Sequence, residues 1–195
     1  MRRCTLPILA ALAFLGGCAS TTVETSGSPP RQALCQTDQP ALSTVVYWGT
    51  QWRPDQKEPR LREAAALRGI EDFLKGAGCL AVSGVHHLPA EKPLPTNEEL
   101  LRLAADTRLV AERILLVVVR ELGPRLTIGI PVIIEGGTEV LIDVRLLAPN
   151  SAESLANAQM RWRNGGAFVI KGVKTLDQDM SAALEALLMQ RSAAR

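Results

Sequence analysis

Apolar and polar positions recur with two periods along the chain, and together they predict nine elements. Leu42 to Trp48 is rich in β-branched and aromatic residues and is broken by Gly49, so it predicts a strand. Residues 60–76 follow the helical period, with Leu61, Ala64, Ala65, Leu67, Ile70, Phe73 and Leu74 apolar and Gly76 and Gly78 closing the run. A second strand is expected over Cys79–Val85. Thr96-Asn97-Glu98-Glu99 has the spacing of a capping box and opens a helix to about residue 110. Ile114–Glu121 is apolar on both faces, as in a central strand covered on both sides.

The second half predicts a meander. Gly123-Pro124 is expected to turn the chain, and Leu126–Ile134 to form a strand whose Pro131 calls for an edge or a bulge. Gly136-Gly137 is expected to form a tight hairpin. Glu139–Leu147 alternates, with Val140, Ile142, Val144 and Leu146 on one face and Asp143 and Arg145 on the other. After a turn at Pro149-Asn150-Ser151, a strand near 155–163 places Ala156, Ala158, Met160 and Trp162 together. A second capping box at Thr175–Gln178 opens a last helix with Leu176, Met180, Ala183, Leu184, Leu187 and Leu188 on one stripe. Strand, helix, strand, helix, four strands and helix make an α+β fold: a mainly antiparallel sheet carrying three helices.

Ahead of these elements, Met1-Arg2-Arg3 is basic and Leu6–Leu15 is uncharged and apolar. Ten residues are too few for a bilayer helix, which needs about 20. A basic start, a short apolar core and small residues after it predict a cleaved export signal over 1–17. Leu15-Gly16-Gly17-Cys18 resembles the bacterial lipobox, which implies diacylglyceryl transfer to Cys18, cleavage before it and fatty acylation of the new amine. An ordinary secretory signal ending near a cysteine is the alternative. Arg2-Arg3 fits a Sec-type start better than a twin-arginine one. Ala19 and Ser20, with no Asp at the second position, resemble the default sorting of enteric lipoproteins to the outer membrane. Residues 18–34 are then expected to be the lipidated cysteine and a flexible tether, with one periplasmic domain over 35–195.

Composition narrows the classes. Without Arg2 and Arg3 the 22 basic side chains become 20, matching the 20 acidic ones, so charge gives no case for nucleic acid as a partner. Of four cysteines, Cys4 leaves with the signal and Cys18 carries lipid, so Cys35 and Cys79 remain. In an oxidising compartment the pair reads as one disulfide, with two free buried thiols the alternative. Their spacing, without clustered histidines, is unlike a zinc site. The order of elements, with similarity around Ile114–Leu147, resembles the periplasmic domains typified by the TolB amino-terminal domain and the CsgG lipoprotein. That resemblance covers about 41–190 and implies their α+β architecture, but no motif transfers a functional residue.

Candidate chemistry is sparse. His86-His87 at a strand end should point to opposite sides, so they would not chelate one ion. One of them could act as a general base with a distant carboxylate, but a solvated strand end is the simpler account. The sequence holds no serine-nucleophile elbow, phosphate loop or zincin helix, and it predicts no catalytic residue, cofactor or metal. Tyr47, Trp48 and Trp52 place three of seven aromatics within eleven residues, followed by Arg53. Tryptophan and arginine are enriched at interface hot spots, so Trp48, Trp52, Arg53 and Trp162 are the candidate partner surface, with Asn164–Phe168 beside Trp162. The alternative is that the tryptophans fold inward over the first helix. A non-catalytic accessory lipoprotein binding an envelope partner is the expected function. The other classes weighed are an oligomeric secretion or pore component and an envelope hydrolase using His86 or His87.

Overall fold

Residues 114–119, Ile-Leu-Leu-Val-Val-Val, carry no polar side chain, so a strand made of them needs cover on both faces. The computed structural model, which describes residues 19–35, 40–106, 111–129, 133–150 and 153–189, provides it. Its elements are β1 (Ser20–Ser28), β2 (Leu42–Thr50), α1 (Pro59–Gly76), β3 (Leu80–His87), α2 (Asn97–Asp106), β4 (Arg113–Gly129), β5 (Ile133–Ala148), β6 (Glu153–Ala167) and α3 (Leu176–Leu188). A 3-10 turn at Val173–Thr175 leads into α3. One six-stranded sheet runs in the order β1-β6-β5-β4-β2-β3. β2 is parallel to both β3 and β4, and the other three pairings are antiparallel. The fold is α+β, as the pattern of apolar positions predicts.

From β2 the chain crosses to β3 on one side, then passes β2 again to reach β4. Right-handed crossovers in opposite directions must use opposite faces of a sheet. Accordingly α1 and α3 pack on one face, over Val46, Leu115, Val117, Ile142, Val144, Ala158 and Met160. On the other face α2 packs through Leu100 and Ala104 over Val45, Tyr47, Ile114, Leu116 and Val118. Helices α1 and α3 meet at Gly69, where a Cβ would lie 2.5 Å from the Asp177 carbonyl oxygen and 2.6 Å from the Met180 Cβ. The alternation expected over 139–147 and 155–163 is present: Val140, Ile142, Val144, Leu146, Ala156, Ala158, Met160 and Trp162 share one buried face.

Four features differ from expectation. The expected tether, residues 18–34, holds β1, which pairs with β6 from Ser20↔Gly165 to Ser28↔Asn157. All nine residues of β1 are exposed. Backbone ladder bonds and β-branched Thr21, Thr22, Val23 and Thr25 hold this edge without burial. Cys18 and the signal at 1–17 lie outside the described residues.

Second, Gly123-Pro124 does not turn the chain. β4 runs through it with a bulge between Val119 and Glu121. β2 stops pairing at Thr50↔Val119, so Pro124 sits where β4 has β5 alone as a partner and its missing N–H costs no ladder bond. Third, Gly136-Gly137 is not a hairpin but lies inside β5, facing Gly166 and Gly165 of β6. Four expected strands are therefore three long ones; Pro131 lies outside the described residues. Fourth, the box at Thr96 forms and the box at Thr175 does not. The Thr96 amide donates to Glu99 Oε2 at 2.7 Å, and the Glu99 amide donates to Thr96 Oγ1 at 3.2 Å. Thr175 has φ −110° and ψ 8°, not the extended backbone of an N-cap, and its hydroxyl lies 3.4 Å from Asp179 Oδ2.

Cys35 and Cys79 are joined, with Cα atoms 5.4 Å apart. The bridge ties the segment after β1 to the entrance of β3. Beside it the buried Leu34 donates its amide to the Leu188 carbonyl at 2.7 Å. No helix among the described residues is long and apolar enough to cross a membrane.

Candidate functional site

Of the four residues expected to form a partner surface, Trp48 and Trp162 are buried, Trp52 is half-buried and Arg53 is exposed. Trp48 and Trp162 are each 4% exposed and belong to the core under α1 and α3. An indole buries more apolar area than any other side chain, and at alternating strand positions facing two helices it goes inward. Trp52 is half-buried against the same core. Arg53 is exposed, but its guanidinium is 2.9 Å from Glu121 Oε2. Glu121 also faces the buried Arg62, at 3.3 Å. Arg62 further donates to the carbonyls of Lys57 at 2.7 Å and Leu122 at 2.5 Å. The Arg53–Glu121–Arg62 chain pins the Trp52 loop to the bulge of β4, and Gly123 leaves room for the Arg62 guanidinium. These contacts give the loop a structural role.

The histidines do sit on opposite faces of β3. His86 stacks on Tyr47 with ring centres 5.2 Å apart; His87 lies against Trp48 at 4.4 Å and reaches Glu63 at 3.0 Å. The His87–Glu63 pair is exposed and has no nucleophile beside it among the contacts of the described residues. Burial raises the Tyr47 phenol above its ordinary pKa, with the charge of Asp106 adding to the shift, so the phenol stays neutral. Among the described residues no group of three His, Cys, Asp or Glu is arranged to hold a metal.

A groove lies at the carboxyl ends of the parallel strands β2 and β3. Gly49 and Thr50 form its floor, the segment from Leu88 to Pro95 one wall and α2 the other, around about 550 Å³. Leu88, Pro89, Pro93, Leu94 and Leu103 make it apolar, while Lys92, Glu99, Arg102 and Asp106 supply a mixed charged rim. Two local features shape it. The Leu88 amide donates to the Trp48 carbonyl at 2.7 Å, continuing the β2–β3 ladder. A Cβ at Gly49 would lie 3.3 Å from Leu88, so glycine lets that wall close down on β2. In sequence, Gly49 reads as the end of a strand and the run of prolines as a loop; the groove appears only when α2 is folded back beside them. An apolar cleft with a mixed rim can hold an extended apolar segment and fix its ends by charge.

No family model matches the sequence, and no curated protein sequence matches it. Solved structures with a similar shape include the PelC dodecamer from Paraburkholderia phytofirmans. It has a TM-score of 0.47 and 14% identity, over 87% of this chain and 99% of that one. Lipoprotein GNA1162 from Neisseria meningitidis aligns with a TM-score of 0.35 and 18% identity, over 75% and 97%. TolB from Acinetobacter baumannii aligns at 0.26 and 11%, over 88% of this chain and 32% of that one.

Proposed function

We propose that this chain is a non-catalytic envelope lipoprotein, held in the outer membrane by acylated Cys18, whose periplasmic domain binds an apolar segment of another envelope protein. The groove between α2 and Leu88–Pro95 carries the proposal: it is an apolar cleft among the described residues, at the carboxyl ends of β2 and β3, with Lys92, Glu99, Arg102 and Asp106 along it. Leu15–Cys18 supports the anchor. Two or more acyl chains hold a protein stably where one is marginal, at about 0.8 kcal/mol per buried CH₂.

The test is a pull-down from detergent-solubilised envelope using the full lipidated chain and its Leu103→Asp variant. Leu103 is exposed and lines the cleft, so the substitution leaves the fold intact and places a charge where an apolar partner would sit. The parent recovers a specific partner, and the variant recovers at least about tenfold less at an unchanged melting temperature, since desolvating a carboxylate against an apolar surface costs well over 1.4 kcal/mol. Equal recovery by both, or turnover of a substrate by the purified parent, overturns the proposal.

A further inference from the structure

The register of β1 places the start of the described chain at one particular end of the sheet. Ser20 pairs with Gly165, and Gly165 pairs on its other side with Gly137. This is the outer end of the β4–β5–β6 ribbon, beyond the last pairing of β2. Leu126 and Ile128 are 60% and 67% exposed there, and Phe168 and Ile170, just past β6, are 73% and 85% exposed. Every other exposed large apolar residue of the described chain lies near 40%. Leu126 and Ile128 are two residues apart on β4, and Phe168 and Ile170 two residues apart after β6. Ile128 pairs with Ile134, whose carbonyl accepts the Phe168 amide at 2.7 Å.

The ribbon is two-sided at this end. By strand alternation Leu126 and Ile128 share a side with the buried Leu122, while Arg125, Thr127 and Glu135 take the other, where Arg125 lies 3.7 Å from Glu139. Phe168 has φ +60°, a backbone conformation rare for a bulky residue. The next carbonyl, of Val169, crosses over Gly136, where any Cβ would collide with it. The chain is thus folded into a turn that leaves Phe168 and Ile170 facing outward.

Cys18 precedes Ser20 by two residues, a covalent reach of at most about 7 Å. From Ser20 to Leu126 the sheet crosses three strand spacings, about 14 Å. Acyl chains on Cys18 therefore enter a bilayer beside the apolar end of the ribbon. Once tethered, that end meets lipid at an effective concentration no free protein partner matches. We propose that the β4–β5–β6 end, through Leu126, Ile128, Phe168 and Ile170, inserts into the surface of the phospholipid bilayer that holds Cys18. This rests on the lipoprotein reading of Leu15–Cys18. An apolar side with a polar reverse is the form of an interfacial rather than a spanning element.

The test uses the full lipidated chain in vesicles of phosphatidylethanolamine and phosphatidylglycerol, with and without brominated acyl chains. Tryptophan is placed at the ribbon end (Phe168→Trp, Ile170→Trp) or at the opposite end of β6 (Glu153→Trp), and emission is read as the difference from the parent. Insertion gives a blue shift and a loss of at least about half the added emission at 168 and 170, with neither change at 153. Equal quenching at both ends overturns the proposal. So does a blue shift at 168 and 170 without quenching by brominated lipid, which would mean a protein covers them. Mass spectrometry of the amino-terminal peptide reports acylation of Cys18 separately. An acylated chain with an unquenched ribbon end removes the insertion and leaves the anchor. If Cys18 is unmodified the anchor fails, and the insertion that rests on it falls with it.

Discussion

Thr96 and Glu99 show how two side chains decide where a helix begins. Each satisfies the other's backbone amide, so α2 starts at Asn97 with no orphan donor at either position. The Thr96 backbone amide first, and then its side chain, hold the Glu99 carboxyl below the ordinary carboxylate range. A depressed folded pKa means the box contributes fully above the pKa of the unfolded carboxyl and is lost as pH falls through the lower, folded value. Thr96→Ala removes the hydroxyl that caps the helix, at a cost of about 1 kcal/mol, the usual loss for an N-cap threonine. In an NMR titration Glu99 of that variant should titrate higher, toward an ordinary glutamate, and the first-turn amides of α2 should exchange faster. An unchanged Glu99 midpoint would rule out a contribution of the Thr96 side chain to the Glu99 carboxyl. The pair was legible in sequence because a capping box is a local pattern. Arg62 was not legible: it falls on the buried stripe of α1 at the helical spacing from Ala65, Ala66 and Gly69, but only the distant Glu121 and the Leu122 carbonyl explain why a cation is tolerated there.

At the scale of elements, the two glycine pairs hold β5 and β6 close together where the ribbon leaves the body of the sheet. A Cβ on Gly137 would lie 2.7 Å from the Gly165 Cα, and one on Gly165 would lie 2.7 Å from the Gly137 Cα, nearer than real Cβ atoms approach. Gly137→Ala is therefore an overpacking change in a backbone contact that cannot rotate away, and should lower the unfolding free energy by about 1–3 kcal/mol. Gly76→Ala, at the end of α1 with nothing within 4 Å, should be neutral or stabilising by up to about 1 kcal/mol. Urea midpoints of the two variants check the contrast, and equal midpoints would show that glycine is dispensable at 137. The same residues explain why strand content was legible while strand ends were not. Alternation over 139–147 reports burial against α1 and α3 directly. Glycine and proline mark turns only statistically, and here they serve close approach at Gly137 and an unpartnered stretch of β4 at Pro124. β1 was illegible for the opposite reason: a strand exposed on both faces carries no apolar alternation to read.

For the whole molecule, the question is what keeps β1, and with it the direction of any amino-terminal anchor, fixed against the sheet. β1 buries none of its side chains, and its ion pairs, Glu24 to Arg161 at 3.5 Å and to Arg163 at 3.8 Å, are largely solvent-exposed. Exposed pairs contribute about 0–1 kcal/mol. The ladder to β6 alone would therefore leave an edge that opens readily. The Cys35–Cys79 bridge closes the other side, spanning a sequence separation of 44 and bringing Leu34 into the core beside α3. Chain entropy sets its contribution at about 4 kcal/mol as an upper value. A Cys35→Ala/Cys79→Ala double variant, or the parent in reductant, should lose up to that amount in urea unfolding. The amides of β1 should lose more exchange protection than those of β4, because the loss acts on the segment that the bridge retains and not on the central strand. Loss spread evenly over both strands would show that the bridge stabilises the fold globally without holding the edge. Unchanged protection of β1 would mean that the β6 ladder suffices to orient the amino terminus.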